Sequence, residues 1–469
     1  MLEEERKYGV PSSFGLPRIK GFKAVPKTAK RLEASYYDTE DLRLTRAGAS
    51  LRYRTGDELP WTVKLATDLP GVRQEISRAG SRGRPPAELV RLVTTLTRGA
   101  PLHKVALLRT ERQRWDISDG HRVVAEIADD IVTSGGQTFR ELEAELKDGP
   151  PEILSTVERA LLKAGATPSD WSSKIARVLN VIEPPDVVPP GEQPGSSAPA
   201  EALVTWAIRT HVRRIFAHDP LLRLNETLPN GDTPVHQLRV GARRLRSALR
   251  SFAPLLAKAW TSQLRDELSW FAGVLGAARD TEVLRARLRT TAALDPLAPL
   301  DQATVEAIDA ELTKRQAKAL SIASKAMRSE RYVQLTALLT EATQSVPFAK
   351  PSKRKSPKDA AGDLVRAVAG LTAEAPDETW HQVRILVKRA RYTAEAAGAS
   401  RDNLKSLARL QDLLGEHQDA AVAAEVWLSF RRDPAMAVTA GRLFERERAL
   451  VRQAREGFSR AWQELSEAS

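Results

Sequence analysis

At 469 residues, with a formal net charge of +12 and no cysteine, the chain is too long for one ordinary core and excludes disulfide and thiolate chemistry. The charge is uneven: residues 1–183 carry +4, residues 184–200 carry −2 and residues 201–469 carry +10, so the second half holds the excess that suits a polyanionic partner. No run of about 18 apolar residues occurs and the acidic N-terminus lacks the basic and apolar regions of a signal peptide, so the expectation is a cytoplasmic protein with no membrane association.

The first half alternates short segments with Gly-, Pro- and Asp-rich turns. In chain order they are LEEERKY (2–8), ASYYDT (34–39), SLRYRTG (50–56), WTVKLAT (61–67), RQEISR (73–78), LLRTERQRWDIS (107–118), RVVAEIAD (122–129) and RELEAELK (140–147). Their length and frequent period of two predict an antiparallel sheet or barrel. Helices are expected at 85–98, apolar at Leu89, Leu92, Val93 and Leu96, and at 150–165. Residues two apart share a strand face. Glu3, Glu5 and Lys7 therefore share one, as do Arg52 and Arg54, Arg112 and Arg114, and Glu141, Glu143, Glu145 and Lys147; Lys64 stands among apolar neighbours. Leu142, Ala144 and Leu146 give the last of these strands an apolar opposite face. If such apolar faces pack outward against helices, the charged faces line a barrel interior, which is costly unless water, ions or a charged ligand fill it. Clustered carboxylates are hard oxygen ligands suited to Mg²⁺ or Mn²⁺, and Arg and Lys bind phosphate oxygens; together they fit a metal–triphosphate complex.

EPPDVVPPGEQPGSSAP (183–199) reads as a semi-rigid linker. Beyond it the helical period dominates, from EALVTWAIRTHVRRIFAH (201–218) through VHQLRVGARRLRSALRSF (235–252) and QLRDELSWFAGVLGAARDTEVLRARL (263–288) to the segments between 303 and 343. A second, basic break follows at 347–360, and helices then resume. The segment from His236 repeats in the one from His381, and the surroundings of Asp280 repeat around Asp419, which predicts a duplicated helical unit. At helical spacing His236, Arg239, Arg243, Arg246 and Arg250 form a basic stripe, with His381, Arg384, Lys388 and Arg391 as its copy; Arg244 and Arg389 sit beside them, and Leu238, Leu245 and Leu249 form a separate apolar face. A lone histidine is more often structural, and His236 and His381 draw interest only because each begins a stripe.

The first half resembles the CYTH domain of triphosphate tunnel metalloenzymes. EEERK carries that family's E-x-E-x-K signature at Glu3, Glu5 and Lys7; YYDT (36–39), LRYR (51–54), WTVKL (61–65), RQE (73–75), EIADD (126–130), ELEAELKDG (141–149) and SKIARVL (173–179) follow in its order. The resemblance covers almost all of residues 1–183 and implies an eight-stranded antiparallel tunnel that hydrolyses or cyclises triphosphates with a divalent metal. It implies Glu3, Glu5, Asp130, Glu141, Glu143 and Glu145 on the metal side, and Lys7, Arg52, Arg54, Lys64, Arg73, Arg112, Arg114 and Lys174 on the phosphate side. Glu4 departs from the pattern, which usually has an apolar residue there.

From about 201 to 465 the chain resembles the CHAD domain, which implies two pseudo-symmetric helical bundles around a basic groove that binds inorganic polyphosphate. The two basic stripes, with Arg244 and Arg389, are the matching residues. Low aromatic content and the lack of a stacking platform weigh against single-stranded nucleic acid. The expected fold is thus α+β: an N-terminal eight-stranded barrel with flanking helices (1–183), a linker (184–200), and an all-α domain (201–469) with repeats at about 201–346 and 361–469 around the basic break. The expected function is metal-dependent hydrolysis of inorganic triphosphate together with polyphosphate binding, with polyphosphate granules as a place of association. Three rivals stand beside it: a non-catalytic polyphosphate-binding protein, a thiamine triphosphatase and an adenylate cyclase. Nothing among the phosphate-side residues specifies a base or a sugar.

Overall fold

The structure is a computed structural model and describes residues 2–67, 71–181, 185–195, 198–226, 228, 231–349, 360–396 and 400–467. Most of the expected second break (350–359) and parts of the first (183–184 and 196–197) lie outside the described residues. The chain packs into two compact bodies. One comprises residues 1–190, 209–237 and 328–346; the other comprises 191–208, 238–327 and 347–469.

The first body is built on strands β1 (Leu2–Gly9), β2 (Lys23–Pro26), β3 (Lys30–Asp38), β4 (Ser50–Arg54), β5 (Trp61–Ala66), β6 (Val72–Arg78), β7 (His103–Ser118), β8 (Val123–Ser134), β9 (Gln137–Leu146) and β10 (Thr167–Pro168). Antiparallel pairing runs β1–β6–β5–β4–β3–β7–β8–β9 and returns from β9 to β1, which closes an eight-stranded barrel; β2 adds to β7 and β10 to β1. The closed ring removes the unpaired edges that an open sheet would present.

The period-two pattern decides which face is inside. The outward residues Ile127, Leu142 and Ala144 pack against Leu154, Val157 and Leu161 of helix Glu152–Lys163. Leu51, Trp61, Val63 and Ile76 pack against Leu89, Leu92 and Val93. With the apolar faces covered from outside, the charged faces turn inward. The helix expected over 85–98 is two short ones, Ala87–Leu92 and Thr94–Thr97, separated at Val93; the β-branched run Val93, Thr94, Thr95 weakens the helix there. Gly71 has φ +75, and a Cβ there would stand 3.0 Å from the Glu5 carbonyl oxygen. That carbonyl belongs to the residue whose N–H donates to the Gly71 carbonyl at 3.0 Å, so a side chain at 71 would push on the backbone of a central strand.

β1 keeps its outer face despite Glu4, which is half-buried. Arg6 Nη1 reaches Glu158 Oε2 at 2.5 Å, and the Tyr8 hydroxyl donates to Glu158 Oε1 at 3.3 Å. Burial and the neighbouring Glu158 raise the Tyr8 pKa, so the phenol stays protonated and keeps donating. Residues 185–195 contain neither helix nor strand, as their composition predicts. Their start is nonetheless tied down within the first body: Asp186 pairs with Arg46 at 2.6 Å and with Arg98, and Val188 N–H donates to Thr343 Oγ1 at 3.0 Å. In the same body Asp219 is buried, accepts from Arg223 Nε at 2.9 Å, and accepts from the Tyr332 hydroxyl at 3.2 Å.

The second body is all helical. Helices Asp377–Ala396, Arg401–Ser429 and Ala437–Glu467 share a core of Trp380, Val383, Val387, Leu410, Leu414 and Phe458. Leu288, Ile308 and Leu312 pack with Trp427 and Leu443 in a second cluster. Leu238, Leu245 and Leu249 of helix Pro234–Ser251 are buried, as the separate apolar face predicts. Among the described residues no helix is long and apolar enough to cross a membrane.

Candidate functional site

The barrel encloses a cavity of about 660 Å³. Strand register explains its wall. Glu5 faces Glu145 across β1–β9 and Lys7 faces Glu143, while Lys64 faces Glu75 across β5–β6 and Tyr36 faces Arg52 across β3–β4. Every residue of the E-x-E-x-K signature lines the cavity, together with Arg52, Arg54, Lys64, Arg73, Arg112, Arg114, Glu143, Glu145 and Lys174. Small inward residues such as Ala34, Ser50, Ser77 and Ala128 leave room between them.

The opposite charges pair. Lys64 Nζ lies 2.5 Å from Glu3 and 3.0 Å from Glu75, and Lys7 Nζ lies 3.1 Å from Glu5 and 3.2 Å from Glu143. Arg112 binds Asp130 in a bidentate manner at 2.7 and 2.5 Å and reaches Glu143 at 3.0 Å. Lys174 Nζ stands 3.0 Å from Asp130, 2.8 Å from Glu141 and 2.6 Å from Glu143. Burial would raise the Glu143 pKa, but Lys174, Lys7 and Arg112 hold it well below the usual carboxylate range. Burial likewise acts against Glu75, and Lys64 and Arg52 take it down to about 2. Glu3 goes the other way: burial outweighs Lys64, and neighbouring Glu75 adds to the rise. Among the described residues Arg52 has no ion-pair partner; burial opposes its charge, while Tyr36 and Glu75 raise its pKa.

Asp130 and Glu141, expected on the metal side, are 0% and 1% exposed and lie outside the cavity lining. In this structure they hold Arg112 and Lys174 in place from behind. Lys174 begins helix Lys174–Val178, capped by Ser173 Oγ, which accepts from Ala176 N–H at 3.2 Å. Ile175 of that helix packs with Tyr36, Leu108 and Val132, which closes this end of the barrel. Sequence reasoning quoted Glu75 and Glu126 within their motifs but did not name them as site residues; both line the cavity, at the same spacing of two from Arg73 and Ala128 that marks the other inward positions. Leu224 and Glu226 also line it, and no signal in the first half announces them.

The donor set fits a hard divalent cation. Glu3, Glu5, Glu143 and Glu145 offer only carboxylate oxygens, and Glu5 Oε1 is buried with no aligned hydrogen-bond donor although Lys7 is at ion-pair distance. Among the described residues no three acidic or imidazole groups already converge as a metal cage, because the carboxylates are paired with lysine and arginine.

In the second body the two stripes meet. Arg243 of the first stripe adds to the positive field at Arg384 and Lys388 of the second, and Asp419 is the opposing acid. Burial comes first and the two arginines second in lowering Lys388 to about 8. Arg239 Nη2 lies 3.7 Å from Asp280, and its repeat counterpart Arg384 likewise feels Asp419. Burial lowers the pKa of Arg246, with Arg250 and Arg265 adding to the effect; sequence reasoning missed Arg265, which stands on another helix, Lys258–Val274. His381 Nδ1 bonds Gln418 Oε1 at 2.6 Å, Arg391 donates to Gln411 at 3.2 Å, and Arg389 pairs with Asp363 at 3.4 Å. His236 belongs to the first body, 4.0 Å from Asp232, and Arg244 is exposed.

Comparison with known proteins matches residues 1–177 to the CYTH domain and residues 207–428 to the CHAD domain. Two uncharacterized proteins of Mycobacterium tuberculosis, MT2285 of strain CDC 1551 / Oshkosh and Rv2226 of strain ATCC 25618 / H37Rv, are each 32% identical to the chain over 515 aligned positions, which cover 100% of it and 97% of the relative. Among solved structures, PptA from Streptomyces chartreusis is 26% identical, with a TM-score of 0.47 over 57% of this chain and 100% of its own. The CHAD domain from the plant Ricinus communis is 24% identical, with a TM-score of 0.42 over 57% of this chain and 94% of its own. The closed eight-stranded barrel lies within the stretch matched to the CYTH domain and the basic stripes within the stretch matched to the CHAD domain, and the chain belongs to the family of proteins that join a CYTH domain to a CHAD domain.

Proposed function

We propose that the barrel hydrolyses inorganic triphosphate to pyrophosphate and phosphate with Mg²⁺ or Mn²⁺, and that the helical region binds inorganic polyphosphate. The observation that carries the first part is the cavity wall itself, where Lys and Arg stand against Glu, and where Arg52, among the described residues, feels Glu75 but has no carboxylate at ion-pair distance. Triphosphate oxygens replace carboxylates as partners of Lys7, Lys64, Arg73 and Arg112, and Arg52 takes a phosphate directly. This holds the chain of phosphates in one line and frees Glu3, Glu5, Glu143 and Glu145 to hold the cation. A divalent cation held by those carboxylates would supply charge neutralisation to the phosphates and would lower the pKa of an attacking water. Asp130 and Glu141 keep Lys174 and Arg112 aimed inward throughout.

The test is phosphate release by the purified protein with triphosphate, long-chain polyphosphate, ATP and thiamine triphosphate, each with Mg²⁺, with Mn²⁺ and with EDTA. Triphosphate is expected to turn over fastest, and EDTA to stop it. Cyclic AMP from ATP as the sole product would replace this reading with a cyclase. Arg52→Ala is expected to lower kcat/KM for triphosphate by roughly ten- to a hundredfold, the worth of one charge-assisted hydrogen bond. A change under about twofold would mean that Arg52 does not touch the phosphates.

For the second part the supporting observation is the convergence of Arg243, Arg384 and Lys388. With Lys388 at about 8, polyphosphate affinity is expected to fall as pH rises from 7 to 9.5, because the ammonium needed by the polyanion is lost. Lys388→Arg should remove that pH dependence, measured by binding at both ends of the range. The folded-state value lies below the ordinary 10.5, so protonated Lys388 works against folding below pH about 8, and this penalty fades as pH rises.

A further inference from the structure

The cavity has a closed end and an open one. Lys174 and its helix close the end formed by Asp130 on β8 and Glu141 on β9. Glu126 and Glu145 lie four residues away along the same two strands, toward the other end. At that open rim four cations that line the cavity each have an acid beside them: Arg114 has Glu126 at 3.2 Å, Lys147 has Glu145 at 2.5 Å, Arg54 has Asp57 at 2.5 Å and Arg78 has Glu88 at 2.5 Å.

Glu226 is the exception to this balance. It belongs to segment 209–237 of the same compact body, directly after helix Ala200–Leu224. Gln74 Nε2 donates to its Oε2 at 2.7 Å, and Gln74 faces Leu2, at the end of β1 remote from Lys7. Leu224 anchors the segment by packing on the barrel's outer core beside Trp61 and Ile76, and both Leu224 and Glu226 line the cavity. Among the described residues Glu226 has a neutral amide for a partner and no cation at ion-pair distance, so none of those residues neutralises its carboxylate.

We propose that Glu226 is a specificity-determining residue that favours three phosphates over longer chains, because the additional phosphates of a longer chain must lie against its carboxylate at the open rim. The proposal rests on triphosphate hydrolysis in the barrel. It assigns to the helical half of the sequence a part in choosing the barrel's substrate.

The experiment compares the full-length protein with Glu226→Gln and Glu226→Lys, reading kcat/KM for triphosphate and for tetraphosphate. Gln keeps an oxygen acceptor for Gln74, so the segment stays anchored. The tetraphosphate-to-triphosphate ratio is expected to rise about fivefold in the Gln variant and further in the Lys variant, as removal and then reversal of one nearby charge require. A ratio within about twofold of wild type in both variants, with triphosphate turnover retained, overturns the proposal. An equal fall on both substrates in the Gln variant overturns it too, since that is what a merely structural contact gives. If wild-type protein does not turn over triphosphate with any metal, the underlying reading fails first and takes this one with it.

Discussion

Glu143→Gln should reduce triphosphate turnover by at least about a hundredfold, the scale expected when one preorganised electrostatic partner leaves a catalytic site. Glu143 lies within 3.2 Å of three cations, Lys7, Arg112 and Lys174, and its pKa is held well below normal by them. The amide keeps the shape and loses the charge, so the cation-holding set is weakened and three positive groups are left facing one another. Removing one partner of such a buried set costs about 3–5 kcal/mol of stability. Circular dichroism and thermal melts should therefore show a folded but less stable protein. Triphosphate should raise the melting temperature of the variant more than that of wild type, because it restores negative charge among the same cations. Full activity in Glu143→Gln would defeat the tunnel chemistry altogether.

The second large effect concerns the helical region. Changing Arg243, Arg384 and Lys388 together to Ala should weaken binding of long-chain polyphosphate by at least about a hundredfold, since each charge-assisted hydrogen bond contributes on the order of 1.5–3 kcal/mol. These three come from both copies of the repeat and repel one another in the folded protein. Their removal should therefore raise thermal stability while it lowers affinity. A structural defect would lower both, and that contrast is what the paired measurement reads. Binding as tight as wild type would make the stripes ordinary solvated surface. A preference of the wild-type protein for duplex DNA would make polyphosphate the wrong partner.

Most of the barrel was legible because period two is a strict geometric rule. Leu142 and Ala144 could only face a helix if Glu141, Glu143 and Glu145 faced inward, and β9 obeys. The cavity wall followed from the same rule applied strand by strand. Depth was not legible. Asp130 and Glu141 share the face of Glu126 and Glu143, yet they lie under Lys174, because how far a closing helix covers a strand depends on three-dimensional packing. Glu226 was invisible for a related reason: its role depends on a hydrogen bond to Gln74, 152 positions away in sequence. The stripes were legible as helix faces, while the approach of Arg243 to Lys388 and of Arg265 to Arg246 depends on how separate helices pack.

The internal pairing of the barrel's charges has a consequence for ionic strength. A cation already matched with a carboxylate carries little of the loose ion atmosphere that surrounds an unmatched one. On the function proposed above, triphosphate entering the barrel should mostly exchange one fixed partner for another, so few small ions are set free and added salt has little to oppose. Arg243, Arg246, Arg250 and Lys388, which among the described residues have no acid at ion-pair distance, behave differently: a polyanion laid along them expels the small anions gathered there, and salt drives those anions back. Raising the salt concentration should therefore separate the two proposed activities, stripping polyphosphate from the helices while triphosphate turnover in the barrel continues.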